Sequence, residues 1–189
     1  VSARTLYLMR HGAPVLTGRM LGRTDCEVTP QGIAACRAQA EGFAVAHVIA
    51  SDLQRASCCA EAIAADLDLS PRIDARWREL DFGVWDGLES GTIAADALGR
   101  FWSDPDANPP PGGERWSALV ARVGAAIDDL PSKPALIVTH GGAMRAALHV
   151  LCGFSQPQLW AFDLPYASVL ALRFWDQPSR SGQIIGLWP

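Results

Sequence analysis

The chain has 189 residues, with 16 Lys+Arg against 20 Asp+Glu, a formal net charge of −4 and only four histidines. That length fits one domain spanning 1–189, and 49% hydrophobic with 19% charged residues excludes global disorder. Without a basic excess there is no field to condense on nucleic acid or an anionic membrane, and no apolar run approaches the roughly 18–20 residues of a membrane span, so neither partner is expected. Val1 to Thr5 leads into a strand-like segment rather than a signal peptide, which predicts a cytoplasmic protein. Cys26, Cys36, Cys58, Cys59 and Cys152 form an odd set with no CxxC pair. They read as reduced thiols in or near the core, with no zinc site.

Leu6-Tyr7-Leu8-Met9 is an apolar run that stops at Arg10-His11-Gly12, a buried strand entering a glycine turn. Thr29 is placed to cap a helix with Pro30 at its first position, running to about Ala44. Val48-Ile49-Ala50 predicts a second strand ending at Ser51-Asp52, followed by a helix from Leu53 to Ala65 with Arg55 in its first turn. Ser103 to Gly113 holds three successive prolines and predicts a rim loop. Trp116, Leu119, Val120, Val123, Ile127 and Leu130 fall at the spacing of an amphipathic helix. Ala135 to Val138 repeats the opening pattern, an apolar strand followed by Thr139-His140-Gly141-Gly142 and a helix from Ala143 to Leu151. Ser168 to Phe174 and Gln183 to Leu187 complete the predicted strands. Strands alternating with helices predict an α/β fold, a three-layer α/β/α sandwich with a mostly parallel central sheet.

Three polar clusters, Arg10-His11-Gly12, Ser51-Asp52 with Arg55, and His140-Gly141-Gly142, each follow a short apolar strand. Ligands of open α/β sheets bind beyond the carboxyl ends of the strands, so one crevice can collect all three clusters. Two guanidiniums, two imidazoles and a helix N-terminus suit a phosphoryl group. Arg55 at a helix start opposes the dipole preference there, which a bound anion explains. A neutral imidazole can attack phosphorus, the other cationic groups can neutralise its oxygens, and a carboxyl group can protonate the leaving alcohol. His47 and His149 belong to no motif and read as structural. Trp102, beside the proline loop, either anchors that loop or floors a pocket for a substrate ring.

Leu8-Met9-Arg10-His11-Gly12 resembles the signature of the histidine phosphatase superfamily, the phosphoglycerate mutase-like enzymes. The segments Leu21 to Asp25, Thr29 to Gly32, Ser51 to Ala56, Arg78 to Gly87, Pro111 to Glu114, and Thr139 to Gly142 with Arg145 resemble further motifs of that family in its order, over nearly the whole chain. The resemblance implies that His11 is the nucleophile and that Arg10, Arg55 and His140 line the phosphate pocket. It makes Glu79 the proton donor; Asp81 and Asp86 in the same loop are the alternatives for that role, and by their residue type they read as turn-forming or capping residues instead. It also implies that the Gly141 N–H faces the phosphate and that Gly22 lines the substrate mouth. Ala13 and Pro14 depart from the family pattern, and Thr17 is the nearest polar stand-in for its Asn.

What the resemblance implies is a metal-independent phosphatase without a cofactor, acting on a small phosphorylated metabolite. The short length, the Arg78 to Gly87 loop and the Tyr166 to Val169 segment are most similar to the alpha-ribazole phosphatase branch, whose substrate is alpha-ribazole 5′-phosphate. The alternative is a broad-specificity sugar-phosphate or nucleotide phosphatase. A phosphoglycerate mutase is disfavoured by the lack of room for its longer insertions, and a non-catalytic phosphate-binding module by the presence of both His11 and Glu79. An open strand edge leaves room for a homodimer.

Overall fold

Six strands make one mixed sheet in the order β3-β2-β4-β1-β5-β6, in a computed structural model that describes residues 3–176 and 179–189. Val1 and Ser2, where the expectation of no signal peptide begins, lie outside the described residues. The strands are β1 (Arg4–Arg10), β2 (His47–Ala50), β3 (Arg72–Ile73), β4 (Ala135–Thr139), β5 (Val169–Trp175) and β6 (Ser181–Trp188). The pairs β3-β2, β2-β4 and β4-β1 are parallel, whereas β5 and β6 add antiparallel at one margin.

Alternation along the central strands explains the layers. Leu6, Leu8, Ile49 and Ile137 point to one face, where they pack with Leu119, Val123 and Ile127 of α4 (Trp116–Asp128) and Met144 and Leu148 of α5 (Gly141–Cys152). Met9, Val48, Ala50, Leu136 and Val138 point to the other, against Cys36 of α1 (Pro30–Ala40) and Cys59, Ala60 and Ile63 of α2 (Gln54–Asp66). Side chains two apart share a face in a pleated strand, so each central strand is apolar on both sides, as a covered sheet demands. The result is the predicted three-layer α/β/α arrangement, with a sheet whose inner part is parallel. Among the described residues no helix is long and apolar enough to cross a membrane.

One boundary and one added element differ from expectation. Helix α1 ends at Ala40 rather than Ala44, because Glu41 leaves helical geometry and Gly42 turns the chain at φ +84°. A further helix, α3 (Ala95–Ser103), precedes the proline loop and buries Phe101 against the α4 side of the core.

Candidate active site

Topology brings the polar clusters together. β4 lies between β1 and β2, so Arg10-His11, Ser51 and Thr139-His140 end side by side, joined by His11 N donating to Thr139 O (2.8 Å) and Ser51 N to Val138 O (3.1 Å). The loop after β1 is pressed onto the start of α1: a Cβ on Gly12 would lie 2.3 Å from Gly32 O. Thr29 caps α1 by accepting from Gly32 N (3.0 Å) and donating to Ala13 O (3.0 Å), which fixes that loop from the other side.

His11 is 5% exposed, with its ring centroid 5.0 Å from that of His140 and 5.4 Å from Tyr166. Its Nδ1 donates to Gly12 O at 2.7 Å, which puts the ring proton there and leaves a lone pair on Nε2. Burial, with the charges of Arg55 and Arg10 behind it, pushes the His11 pKa down to about 3, so the ring is neutral at physiological pH. The same causes, burial first and Arg55 next, hold His140 well below the usual histidine range. His140 Nε2 lies 2.9 Å from Ser51 Oγ, and Ser51 Oγ already accepts from Leu53 N (3.3 Å). The serine proton is therefore available for His140 Nε2, an arrangement that leaves the other ring proton on Nδ1.

A cavity of about 220 Å³ opens at these strand ends, lined by Arg10, His11, Glu79, Gly141, Gly142 and Arg145 on its polar side. Phe82, Phe101, Trp102, Trp116, Trp160 and Tyr166 form much of its remaining wall. Trp102 is thus a pocket wall, set edge-on to Trp160 with centroids 5.0 Å apart. Arg55 and His140 are fully buried behind the cavity wall. Arg55 Nη1 donates to Thr24 O (2.8 Å), and Nη2 to Leu21 O (2.8 Å) and Gly22 O (3.0 Å). Arg10 Nη1 donates to Leu164 O (2.6 Å), and its guanidinium lies 4.3 Å over the Tyr166 ring. The Nε atoms of Arg10 and Arg55 and the Nδ1 of His140 are buried without a protein partner.

The three carboxylates of the 78–87 loop have separate surroundings. Glu79 alone lines the cavity, its oxygens accepting from Leu80 N (2.8 Å) and from Gly142 N (3.1 Å) in the first turn of α5. Asp86 accepts from the backbone N–H groups of Gly22, Arg23 and Thr24, and Asp81 accepts from Gly83 N and pairs with Arg23. Two expected binding residues lie elsewhere. Thr17 sits exposed in a turn outside the cavity lining. Gly22 is packed against Leu80 O, where a Cβ would come within 2.5 Å, and its carbonyl serves Arg55 instead of the cavity.

Residues 6–182 match the model of the histidine phosphatase superfamily (branch 1). The chain belongs to the histidine phosphatase superfamily. It is an enzyme of the phosphoric monoester hydrolase type, with the phosphoglycerate mutase-like fold. Among its relatives is the glucosyl-3-phosphoglycerate phosphatase of Mycobacterium tuberculosis, 31% identical over 163 residues, covering 76% of this chain and 73% of the relative. The native structure of the mycobacterial glucosyl-3-phosphoglycerate phosphatase superposes with a TM-score of 0.85 at 28% identity, over 97% of this chain and 98% of that one. A Hydrogenobacter thermophilus protein provisionally named phosphoserine phosphatase 2 is 28% identical over 187 residues, covering 93% of this chain and 92% of the relative. An Escherichia coli protein provisionally named an alpha-ribazole-5′-P phosphatase has a TM-score of 0.85 at 22% identity, over 100% of this chain and 97% of that one, a likeness of fold.

Local reading of this histidine phosphatase sequence missed two supports that come from distant segments. Arg122 of α4 donates to the carbonyls of Arg76, Arg78 and Glu79 (2.7–2.8 Å) and pairs with Glu114, clamping the loop that carries Glu79. Tyr166 lies against both Arg10 and His11, and the next residue, Ala167, takes a left-handed φ of +65° so that its N–H reaches Arg10 O and His11 O (3.2 Å each). A left-handed alanine is a small strain retained by its surroundings, and here those surroundings are the site.

Proposed function

We infer that this enzyme hydrolyses a small phosphate monoester in two steps through a phosphohistidine on His11. One observation carries the reading: the buried Nε atoms of Arg10 and Arg55 and the buried Nδ1 of His140 lack protein partners beside a neutral histidine whose Nε2 lone pair is free. Buried cationic and N–H donors without partners are costly, and a bound phosphoryl dianion offsets that cost.

In the first step His11 Nε2 attacks phosphorus and the P–O bond to the alcohol breaks. Arg10, Arg55, His140 Nδ1 and the Gly141 N–H neutralise the equatorial oxygens, the task on which phosphoryl transfer chiefly depends. Glu79 delivers its proton to the leaving oxygen. In the second step the Glu79 carboxylate takes a proton from water, the oxygen attacks phosphorus, and the P–N bond breaks to release phosphate and His11. These residues supply the charge neutralisation and the proton transfers, so the reaction runs without a metal.

For substrate, the names of the sequence relatives favour a sugar-phosphate or phosphoglycerate-type ester over alpha-ribazole 5′-phosphate, for which the likeness extends only to fold. This is the broader of the two expectations drawn from the sequence. The test is turnover of p-nitrophenyl phosphate in EDTA beside His11→Ala. Turnover that persists in EDTA and disappears in the variant is expected, and activity that survives in His11→Ala overturns the reading.

A further inference from the structure

Arg10 lines the cavity with a guanidinium whose contacts leave one edge open. Nη1 donates to Leu164 O at 2.6 Å, its one protein acceptor among the described residues, and the plane lies over the Tyr166 ring with Cζ 4.3 Å from the centroid. Nε is buried without a partner. In a planar guanidinium Nε and Nη2 form a two-donor fork, so a side chain held at Nη1 and on its face presents that fork.

The fork lies where the reaction above places the phosphoryl group. A Cβ built on Gly141 would be 3.8 Å from both Nε and Cζ of Arg10, so the Nε side of the guanidinium faces the first residue of α5. The nucleophile is beside the same ring, with the centroids of His11 and Tyr166 5.4 Å apart. Leu164 and Tyr166 flank Pro165 in the segment that runs into β5, the antiparallel neighbour of β1. The N–H of Ala167 reaches Arg10 O and His11 O (3.2 Å each), which ties the segment carrying the ring to the backbone of the residues it faces.

An aromatic face suits Arg10 better than a carboxylate would. Among the described residues Arg10 enters no ion pair. A carboxylate on the fork would have to be displaced by phosphate in every turnover. The ring attracts the cation through its quadrupole and takes none of its N–H donors, so the guanidinium is held in place with its bidentate edge still open.

We propose that Tyr166 is a positioning residue, whose ring face acts with Leu164 O to aim the Nε–Nη2 edge of Arg10 at the phosphoryl oxygens. The proposal rests on the phosphatase reading given above and adds to it the group that orients Arg10.

A double-mutant cycle separates aiming from packing. Tyr166→Leu should lower kcat/KM for p-nitrophenyl phosphate by about 5–30-fold, the scale of a desolvated cation–π contact, and weaken competitive inhibition by inorganic phosphate by a similar factor. Tyr166→Phe keeps the face and should recover the activity to within about threefold of wild type. In an Arg10→Met background the cation is gone, and adding Tyr166→Leu should cost less than about twofold. Phenylalanines of increasing ring fluorination in place of Tyr166 keep the shape while draining the face of negative potential, so kcat/KM should fall stepwise with fluorine number even if Tyr166→Leu does not fold. Equal losses in the two backgrounds, a loss in Tyr166→Phe as large as in Tyr166→Leu, or no response to fluorination overturns the assignment, while His11-dependent turnover keeps the phosphatase reading standing. Absence of His11-dependent turnover in the wild-type enzyme overturns that reading and this proposal with it.

Discussion

Replacing Gly142 by alanine puts a methyl group where Glu79 now rests. The added Cβ would lie 2.1 Å from Glu79 Oε1 and 3.1 Å from its Cδ, too close to coexist. Glu79 is the end of a flexible side chain, so the fold can yield by swinging the carboxylate away, at the loss of its 3.1 Å bond from Gly142 N. That loss costs about 1.5–3 kcal/mol, and alanine in a helix returns roughly 0.5–1 kcal/mol relative to glycine. The net, about 0.5–2.5 kcal/mol, corresponds to a fall in Tm of roughly 1–10 °C for a chain of this size. Activity should respond far more than stability. A positioned general acid is worth about 10²–10⁴-fold, so kcat on glycerol 3-phosphate should fall by at least about 100-fold. The loss on p-nitrophenyl phosphate, whose leaving group departs without a proton, should be smaller by about tenfold or more. Steady-state kinetics on both esters with a thermal melt decide it. Unchanged turnover on glycerol 3-phosphate, or equal losses on the two esters, would refute the placement of Glu79 as the acid.

Ser51→Ala removes the partner of His140 Nε2 and frees the ring to take the wrong tautomer; kcat should fall by roughly tenfold with folding retained by circular dichroism, and wild-type kcat would count against that positioning role. Arg122→Leu leaves Glu114 unpaired and three carbonyls unserved at a mostly buried site, so stability should drop by about 3 kcal/mol or more in a denaturant titration. The pH dependence follows from His11. Its folded pKa, about 3, lies below the value near 6.5 expected in the unfolded chain, so between those limits the unfolded state binds a proton that the folded state does not. Its contribution is therefore fully present above about pH 6.5 and falls, by up to about 1.4 kcal/mol per pH unit, as pH drops toward 3. His11→Gln should flatten that loss between pH 7 and pH 5, and an unchanged slope would contradict the assigned burial effect.

The sheet and the convergence of its strand ends were legible because short runs such as Leu6 to Met9 and Ala135 to Val138 are apolar on both faces and stop at polar, glycine-bearing turns. Local signals of this kind also placed Thr29 as the cap of α1. They did not reveal α3, a short helix abutting the proline loop, or the early stop of α1 at Gly42. Arg122, Tyr166 and the support of Arg55 by Gly22 depend on contacts between residues tens of positions apart, which no window of the sequence contains. Thr17 shows the opposite relation: it is close to His11 in sequence, yet it lies in an exposed turn outside the cavity lining.

The central claim is a covalent phosphoryl group on His11. Glu79→Gln incubated with p-nitrophenyl phosphate, quenched in alkali and mapped by peptide mass spectrometry, tests it most directly, because this ester needs no proton for the first step while the variant lacks the base for the second. The account predicts an acid-labile, alkali-stable phosphoryl adduct on the peptide containing His11, absent in a second variant that also carries His11→Ala. No adduct despite release of p-nitrophenolate, or an adduct on any other residue, would contradict it.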